Sequence, residues 1–345
     1  MPNQKPGAQT SPKASQKIRK TKYDIIGIGD CTIDNFIEVK EATVTCDLKH
    51  EHCQLGFRFG DKIPYESLTI LSAGNANNAS VGMSRLGMRT AFYGTVGNDE
   101  YGQVILKALK KDKVDTKLVS VQKGQTNSHY VLVYNHDRTI LIKHQAYKYK
   151  LPKEAADTKW IYFSSVGEKG LELHPQVVKM LEKNPNIKMS FNPGTFQLRL
   201  GMKKLAPLMQ HAEVLCLNKE EAQGLVGGDL DDIRGLAEKL HQAGPKIVVI
   251  TDALNGSYCL DGGVLYKMGV YPHKPIESTG AGDAYATGFA AAKMLGLPTV
   301  EALRWGSRNG ANVATEVGPQ AGLVSKKQML TDLAKHPEVK ATIIK

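Results

Sequence analysis

No apolar run in the sequence approaches the ~18 residues that a membrane-crossing helix needs, which excludes a helical span. The 33 glycines follow no G-x-y period, which excludes a collagen-like chain, and no internal repeat is present, which excludes a solenoid. Cysteine is sparse: five residues, odd in number and dispersed, with no apolar secretory stretch ahead of them. That usage fits reduced thiols and a cytoplasmic location. Acidic residues are missing altogether from positions 1–22, where Lys5, Lys13, Lys17, Arg19, Lys20 and Lys22 supply six of the chain's formal +11 charges. Residues 1–22 also lack apolar periodicity, so they read as a disordered basic tail.

Charge elsewhere is close to balanced. Residues 326–345 are also basic, with five lysines against Asp332 and Glu338, and read as an extension that is helical in part. The body, 23–325, is therefore nearly neutral, which argues against a specific nucleic-acid partner. Its 41% hydrophobic and 23% charged content over 345 residues suits a globular domain with ample core.

Short apolar runs at Tyr23–Ile28, Ile161–Ser164, Met189–Phe191, Val214–Leu217 and Ile247–Thr251 read as buried strands. Segments of helical period follow several of them, at 174–183, 220–226 and 231–243, and Ala-rich helices are expected over 282–296 and 300–317. Alternating strands and helices predict an α/β fold, a mostly parallel sheet covered on both faces. Two stretches break this rhythm, at about 36–70 and at 127–143, where His129–Tyr134 and Thr139–Ile142 flank a polar turn as a hairpin would. They predict a small β lid over a site at the sheet's carboxyl edge. Their edges leave room for a homodimer. Cys46, His50, His52 and Cys53 carry zinc-ligand types, but their spacing differs from C-x2-C and H-x3-5-H.

The segment Ser278-Thr279-Gly280-Ala281-Gly282-Asp283 opens one of the Ala-rich helices. Backbone amides at such a start can hold a phosphate that glycine lets approach closely. An Asp there also suits the helix dipole, so this string alone leaves both roles open. It is equally what phosphoryl transfer to an alcohol needs: a turn for developing charge and a carboxylate for the hydroxyl proton.

Four segments in order make the chain resemble the ribokinase-like, or PfkB, family of carbohydrate and nucleoside kinases over about 23–325. They are Gly27-Ile28-Gly29-Asp30-Cys31-Thr32-Ile33-Asp34; Ser72-Ala73-Gly74-Asn75-Ala76-Asn77-Asn78, continuing through Gly94–Gly102; Asn218-Lys219-Glu220-Glu221; and the turn ending in Asp283. The resemblance implies a three-layer sandwich and an ATP- and magnesium-dependent kinase. Asp283 would be the general base, and Gly280, Ala281 and Gly282 the anion hole. Asp34, Gly74 and Asn78 would hold the acceptor, a sugar or sugar phosphate, with an adenosine-type nucleoside as the alternative. Asn218 and Glu221 would position magnesium through water. Thr251, Gly256, Gly282 and Ser307 would line the nucleotide site, near the turn Gly318–Gly322. A non-catalytic sugar- or nucleotide-binding regulator is the alternative outside the enzyme class. Four departures stand out: Ala73 for a Gly; Asn192-Pro193-Gly194 without the family's Asp and Arg; Ala253 for a Gly; and Glu277-Ser278 for Asp-Thr, at the family's monovalent-cation (potassium) site.

Overall fold

A computed structural model describes residues 21–47, 53–135, 137–276 and 278–344. All but the last two residues of the expected disordered tail, together with His50 and His52, lie outside the described residues. The described residues open with β1 (Tyr23–Ile28), β2 (Thr32–Val39), the hairpin β3 (Thr43–Cys46) and β4 (Cys53–Gly56), and β5 (Tyr65–Ala73). Next come α1 (Asn75–Arg85), β6 (Thr90–Tyr93), β7 (Thr95–Gly97), α2 (Glu100–Lys111), β8 (Ser120–Gln122) and the hairpin β9 (Ser128–Tyr134) and β10 (Asp137–Lys143). A βα series follows: β11 (Thr158–Ser164), α3 (Leu173–Lys183), β12 (Lys188–Asn192), α4 (Thr195–Leu198), α5 (Gly201–Met209), β13 (Ala212–Asn218), α6 (Lys219–Val226) and α7 (Ile233–Gln242). The last elements are β14 (Ile247–Thr251), β15 (Ser257–Asp261), β16 (Val264–Met268), α8 (Ala281–Met294), α9 (Thr299–Val313), α10 (Lys326–Lys335) and β17 (Thr342–Ile344).

Among the described residues, a nine-stranded sheet runs β17-β16-β15-β14-β13-β12-β11-β1-β6. Strands from β6 to β14 pair in parallel, and β15, β16 and β17 add antiparallel neighbours. Alternate residues feed two separate cores, as strand geometry requires. Ile26, Ile28, Ile161, Phe163, Val248 and Ile250 face α3, α5, α6 and α7. Ile25, Trp160, Tyr162, Ile247 and Val249 face α1, α8, α9 and α10. The sheet is thus apolar on both sides and sandwiched between helix layers, in agreement with the expected three-layer arrangement. The fold needs no strict hydrophobic alternation in such strands, which is why they read as continuous apolar runs.

The expected lid is a second sheet, β10-β9-β2-β5. Register places Asp34, His129 and Ile142 side by side on one face, and Ile70, Tyr130 and Leu141 on the opposite, exposed face. The C-terminal extension is tied into the body. α10 packs by Met329 and Leu333, Arg304 donates to the carbonyls of Leu333, His336 and Val339, and β17 pairs with β16.

One sequence expectation is corrected. Cys46 and Cys53 are not reduced thiols but form a disulfide, because β3 and β4 set them directly opposite each other. A bonded pair has no thiolate to offer zinc. Cys31, Cys216 and Cys259 are free and buried.

Candidate active site

The carboxyl ends of β1, β11, β12, β13 and β14 all point at one cavity of about 500 Å³, as open α/β sheets dispose their ligand crevices. Asp30, Ser165, Asn192, Asn218 and Thr251 line it from these strand ends. Asp34, His129, Arg138, Ile140 and Ile142 line it from the lid, and Ser278–Gly280, Gly282 and Asp283 from the start of α8.

Gly280 precedes α8 with φ 80°, a left-handed conformation that glycine adopts freely. A Cβ there would also stand 2.5 Å from Pro319 Cβ. Two constraints thus demand glycine. The Ala281 amide already donates to the Ser278 carbonyl at 3.1 Å, and Ala281 lies outside the cavity wall; the Gly282 backbone forms the wall instead. Asp283 follows as the third residue of α8. Protein surrounds its carboxylate closely enough that desolvation pushes its pKa up to about 7. The Asn78 side chain, donating to Asp283 Oδ2 at 3.3 Å, opposes that rise, while the charges of Glu221 and Asp34 add to it.

Asp34 is buried on β2, 3.3 Å from His129 Nδ1. Gly74 holds φ 108° beside the Asp30 carbonyl. Its neighbour Ala73 merely ends β5, so the missing second glycine is tolerated there. Asn78 is spanned on both sides: Gln320 Nε2 donates to its Oδ1 at 2.9 Å while its Nδ2 meets Asp283. Asn218 and Glu221 form a reciprocal cap of α6. Asn218 Oδ1 accepts from the Glu221 amide at 2.7 Å, and Glu221 Oε2 accepts from the Asn218 amide at 2.9 Å. Burial raises the Glu221 pKa. Asn218 and Glu221 both line the cavity, and their oxygens are a donor set suited to water-mediated contact with magnesium. Among the described residues no group of three or more His, Cys, Asp or Glu converges as a direct metal cage.

Thr251 reaches the cavity wall; Gly256 and Ser307 do not. Gly256, at φ 92°, shapes the turn into β15, and Ser307 Oγ bridges the Tyr271 amide and the Gly269 carbonyl at 2.9 Å each.

Several wall residues were not singled out from sequence. Among the described wall residues Arg138 is the one lysine or arginine, in a cavity that Asp30, Asp34, Glu221 and Asp283 also line, and its Nη1 donates to Ser278 Oγ at 3.0 Å. Asp30 accepts from Tyr149 Oη at 2.6 Å and from the Gly167 amide, with His144 Nδ1 at 3.1 Å. His129 and Arg138 were within reach of the alternation that revealed the hairpin, since odd positions of β9 and even positions of β10 share the cavity face. Asp30 and Gln320 fall within quoted segments, but their partners, like those of His144, lie far away in sequence and carry no local signal.

The model of the pfkB family of carbohydrate kinases matches residues 40–326. An uncharacterized sugar kinase of Archaeoglobus fulgidus is 26% identical over 250 residues, 70% of this chain and 98% of that protein. Two solved structures share the fold. Arabidopsis thaliana ribokinase complexed with ribose and ATP has TM-score 0.75 and 19% identity, covering 90% of this chain and 98% of that one. A ribokinase II, so described provisionally, from E. coli in complex with ATP and Mg2+ has TM-score 0.73 and 17% identity, covering 91% and 99%.

Proposed function

The chain belongs to the pfkB family of carbohydrate kinases, and from that premise we propose that it moves the γ-phosphoryl group of ATP onto a hydroxyl of a sugar or sugar phosphate, with Asp283 as general base. One observation carries the reading. Asp283 stands directly behind the Gly280–Gly282 turn, inside the cavity, with its proton affinity raised to about pH 7. A base poised near neutrality takes the acceptor's proton as the oxygen attacks, without being too weak to hold it.

Asp34 grips acceptor hydroxyls from the lid side, with Asn78 and the Gly74 backbone nearby. The acceptor oxygen bonds to the γ-phosphorus as the bond from that phosphorus to the bridging oxygen of ADP breaks, and the hydroxyl proton passes to an Asp283 oxygen. The Gly282 and Asp283 amides face the transferred group's oxygens. Arg138 adds a permanent cation, the one lysine or arginine among the described wall residues. Glu221 and Asn218 would hold magnesium through water, and the ion would supply neutralisation of phosphate charge. Thr251 lies on the nucleotide side. Lid residues Ile140 and Ile142 exclude water that would compete as acceptor.

The test is a panel of sugars, sugar phosphates and nucleosides with ATP and magnesium, reading both ADP and phosphorylated product, for wild type and Asp283→Asn. Wild type should phosphorylate a sugar-class acceptor, and Asp283→Asn should lose at least about 10²-fold in turnover while still binding ATP. Preference for a nucleoside would replace the acceptor assignment. Product from no acceptor, or a fully active Asp283→Asn, would sink the mechanism.

A further inference from the structure

Gln320 sits in the turn between α9 and α10 and touches the reaction centre through one intermediary. Its Nε2 donates to Asn78 Oδ1 at 2.9 Å, and Asn78 Nδ2 donates to Asp283 Oδ2 at 3.3 Å. Asn78 is 4% exposed, so water does not substitute freely at either end of its amide. We propose that Gln320 is a positioning residue: by donating to Asn78 Oδ1 it holds the Asn78 amide in the orientation that presents NH2, rather than oxygen, to Asp283. The inference rests on the reading of Asp283 as the base.

A primary amide has a donor end and an acceptor end, and turning it over exchanges them at nearly constant shape. An ionised carboxylate only accepts. Facing the NH2 of Asn78 it gains a hydrogen bond; facing the oxygen it meets lone pairs. Which end faces it is settled by whatever occupies the other end. Gln320 offers a donor there, so the oxygen of Asn78 turns outward and the NH2 inward.

The Gln320 backbone is anchored for this task. Arg85 Nη1 donates to its carbonyl at 2.6 Å and to that of Leu323 at 3.2 Å, and Arg85 is ion-paired with Asp112 at 2.7 Å. The neighbouring Pro319 packs on Gly280, so one turn contacts both the anion-hole glycine and the partner of the base. The titratable groups around Asp283 are Asp34 from β2, Glu221 from α6, Tyr162 from β11 and Cys216 from β13, with Arg138 of β10 on the same wall. The carboxylates of this set oppose ionisation of Asp283, which leaves the Asn78 NH2 as the side-chain group that favours it.

Gln320→Met keeps length and removes the donor without adding charge. The ionisation of Asp283 is followed in the full chain, without substrate, by 13C NMR of carboxyl-labelled aspartate, the signal being assigned with Asp283→Asn. Gln320→Met should raise the Asp283 midpoint by about half to one pH unit, and Asn78→Ala by at least as much. The double variant should move it no further than Asn78→Ala alone, because Gln320 acts only through Asn78. In the kinase assay the acid limb should shift with the midpoint, and turnover should recover above it. A purely structural defect would lower turnover at every pH. An unchanged midpoint in Gln320→Met, or additive shifts in the double variant, overturns the proposal. Should Asn78→Ala fail to fold, Gln320→Glu decides: it should raise the midpoint more than Gln320→Met does, and an equal or smaller rise overturns the proposal. A wild type that phosphorylates no acceptor would overturn the kinase reading alone, since the midpoints are measured without turnover.

Discussion

Replacing Gly282 by alanine should raise stability and abolish function in the same molecule. Gly282 is the second residue of α8, its φ is not positive, and a Cβ built on it meets nothing within 4 Å. Alanine at a helical position without a clash is favoured over glycine by about 0.5–1 kcal/mol, through the entropy glycine loses on folding. For a chain of this size that gain moves Tm up by roughly 2 °C. The empty space beside Gly282 is, however, the cavity. A methyl group there stands where a phosphoryl oxygen must approach the backbone amides, and losing one such donor costs about 10²–10³ in kcat. Thermal unfolding and a coupled ADP-release assay on one preparation read both quantities. Gly280→Ala is the contrast: φ 80° and Pro319 at 2.5 Å should make it lose stability as well, by about 2–4 kcal/mol. Gly282→Ala with kcat within threefold of wild type would show that no phosphate approaches there. A drop in Tm would show that the space is not open.

Ala253 adopts φ 41°, so Ala253→Gly should relieve backbone strain and raise stability by up to about 1 kcal/mol in denaturant unfolding. Turnover should rise with pH through an acid limb near 7, set by Asp283. Stability should move the other way. Folded Asp283 binds its proton more tightly than the unfolded chain does, so that contribution is full below about pH 4 and is lost as pH rises to about 7. Asp283→Asn should flatten that decline in a Tm-against-pH series. Arg138→Gln should cut kcat by about 10-fold or more with ATP affinity changed far less, because the cation acts on charge that develops in transfer; loss of ATP binding alone would assign Arg138 to the ground state.

How much could be read in advance depended on whether a signal was local. β1 and β14 agree with their apolar runs at both ends, because a strand buried on two faces is apolar throughout and turn residues bound it. β17 was missed: three residues have no period, and they become a strand only by pairing with β16. α2 was not read: only its first three residues lie in a segment read as a motif, although Asp99 caps it by accepting from the Gly102 amide. The disulfide escaped because it depends on hairpin register, which six intervening residues do not announce. The glycine turn before Asp283 was legible since its parts are neighbours in sequence. The Gln320–Asn78–Asp283 contacts join residues more than 200 positions apart, which no spacing argument reaches.

Asp34 belongs to a strand of the lid sheet, whereas Asp283 belongs to a helix on the main sheet. An acceptor held by one and deprotonated by the other is measured like a workpiece between two jaws. Its length sets the gap, and the gap sets whether the hydroxyl meets the base. A molecule too short by one carbon can bind the lid jaw fully and still leave its oxygen out of reach. Selection by such a gauge shows in turnover rather than in affinity, so weak substrates of this protein should also be good competitive inhibitors of it.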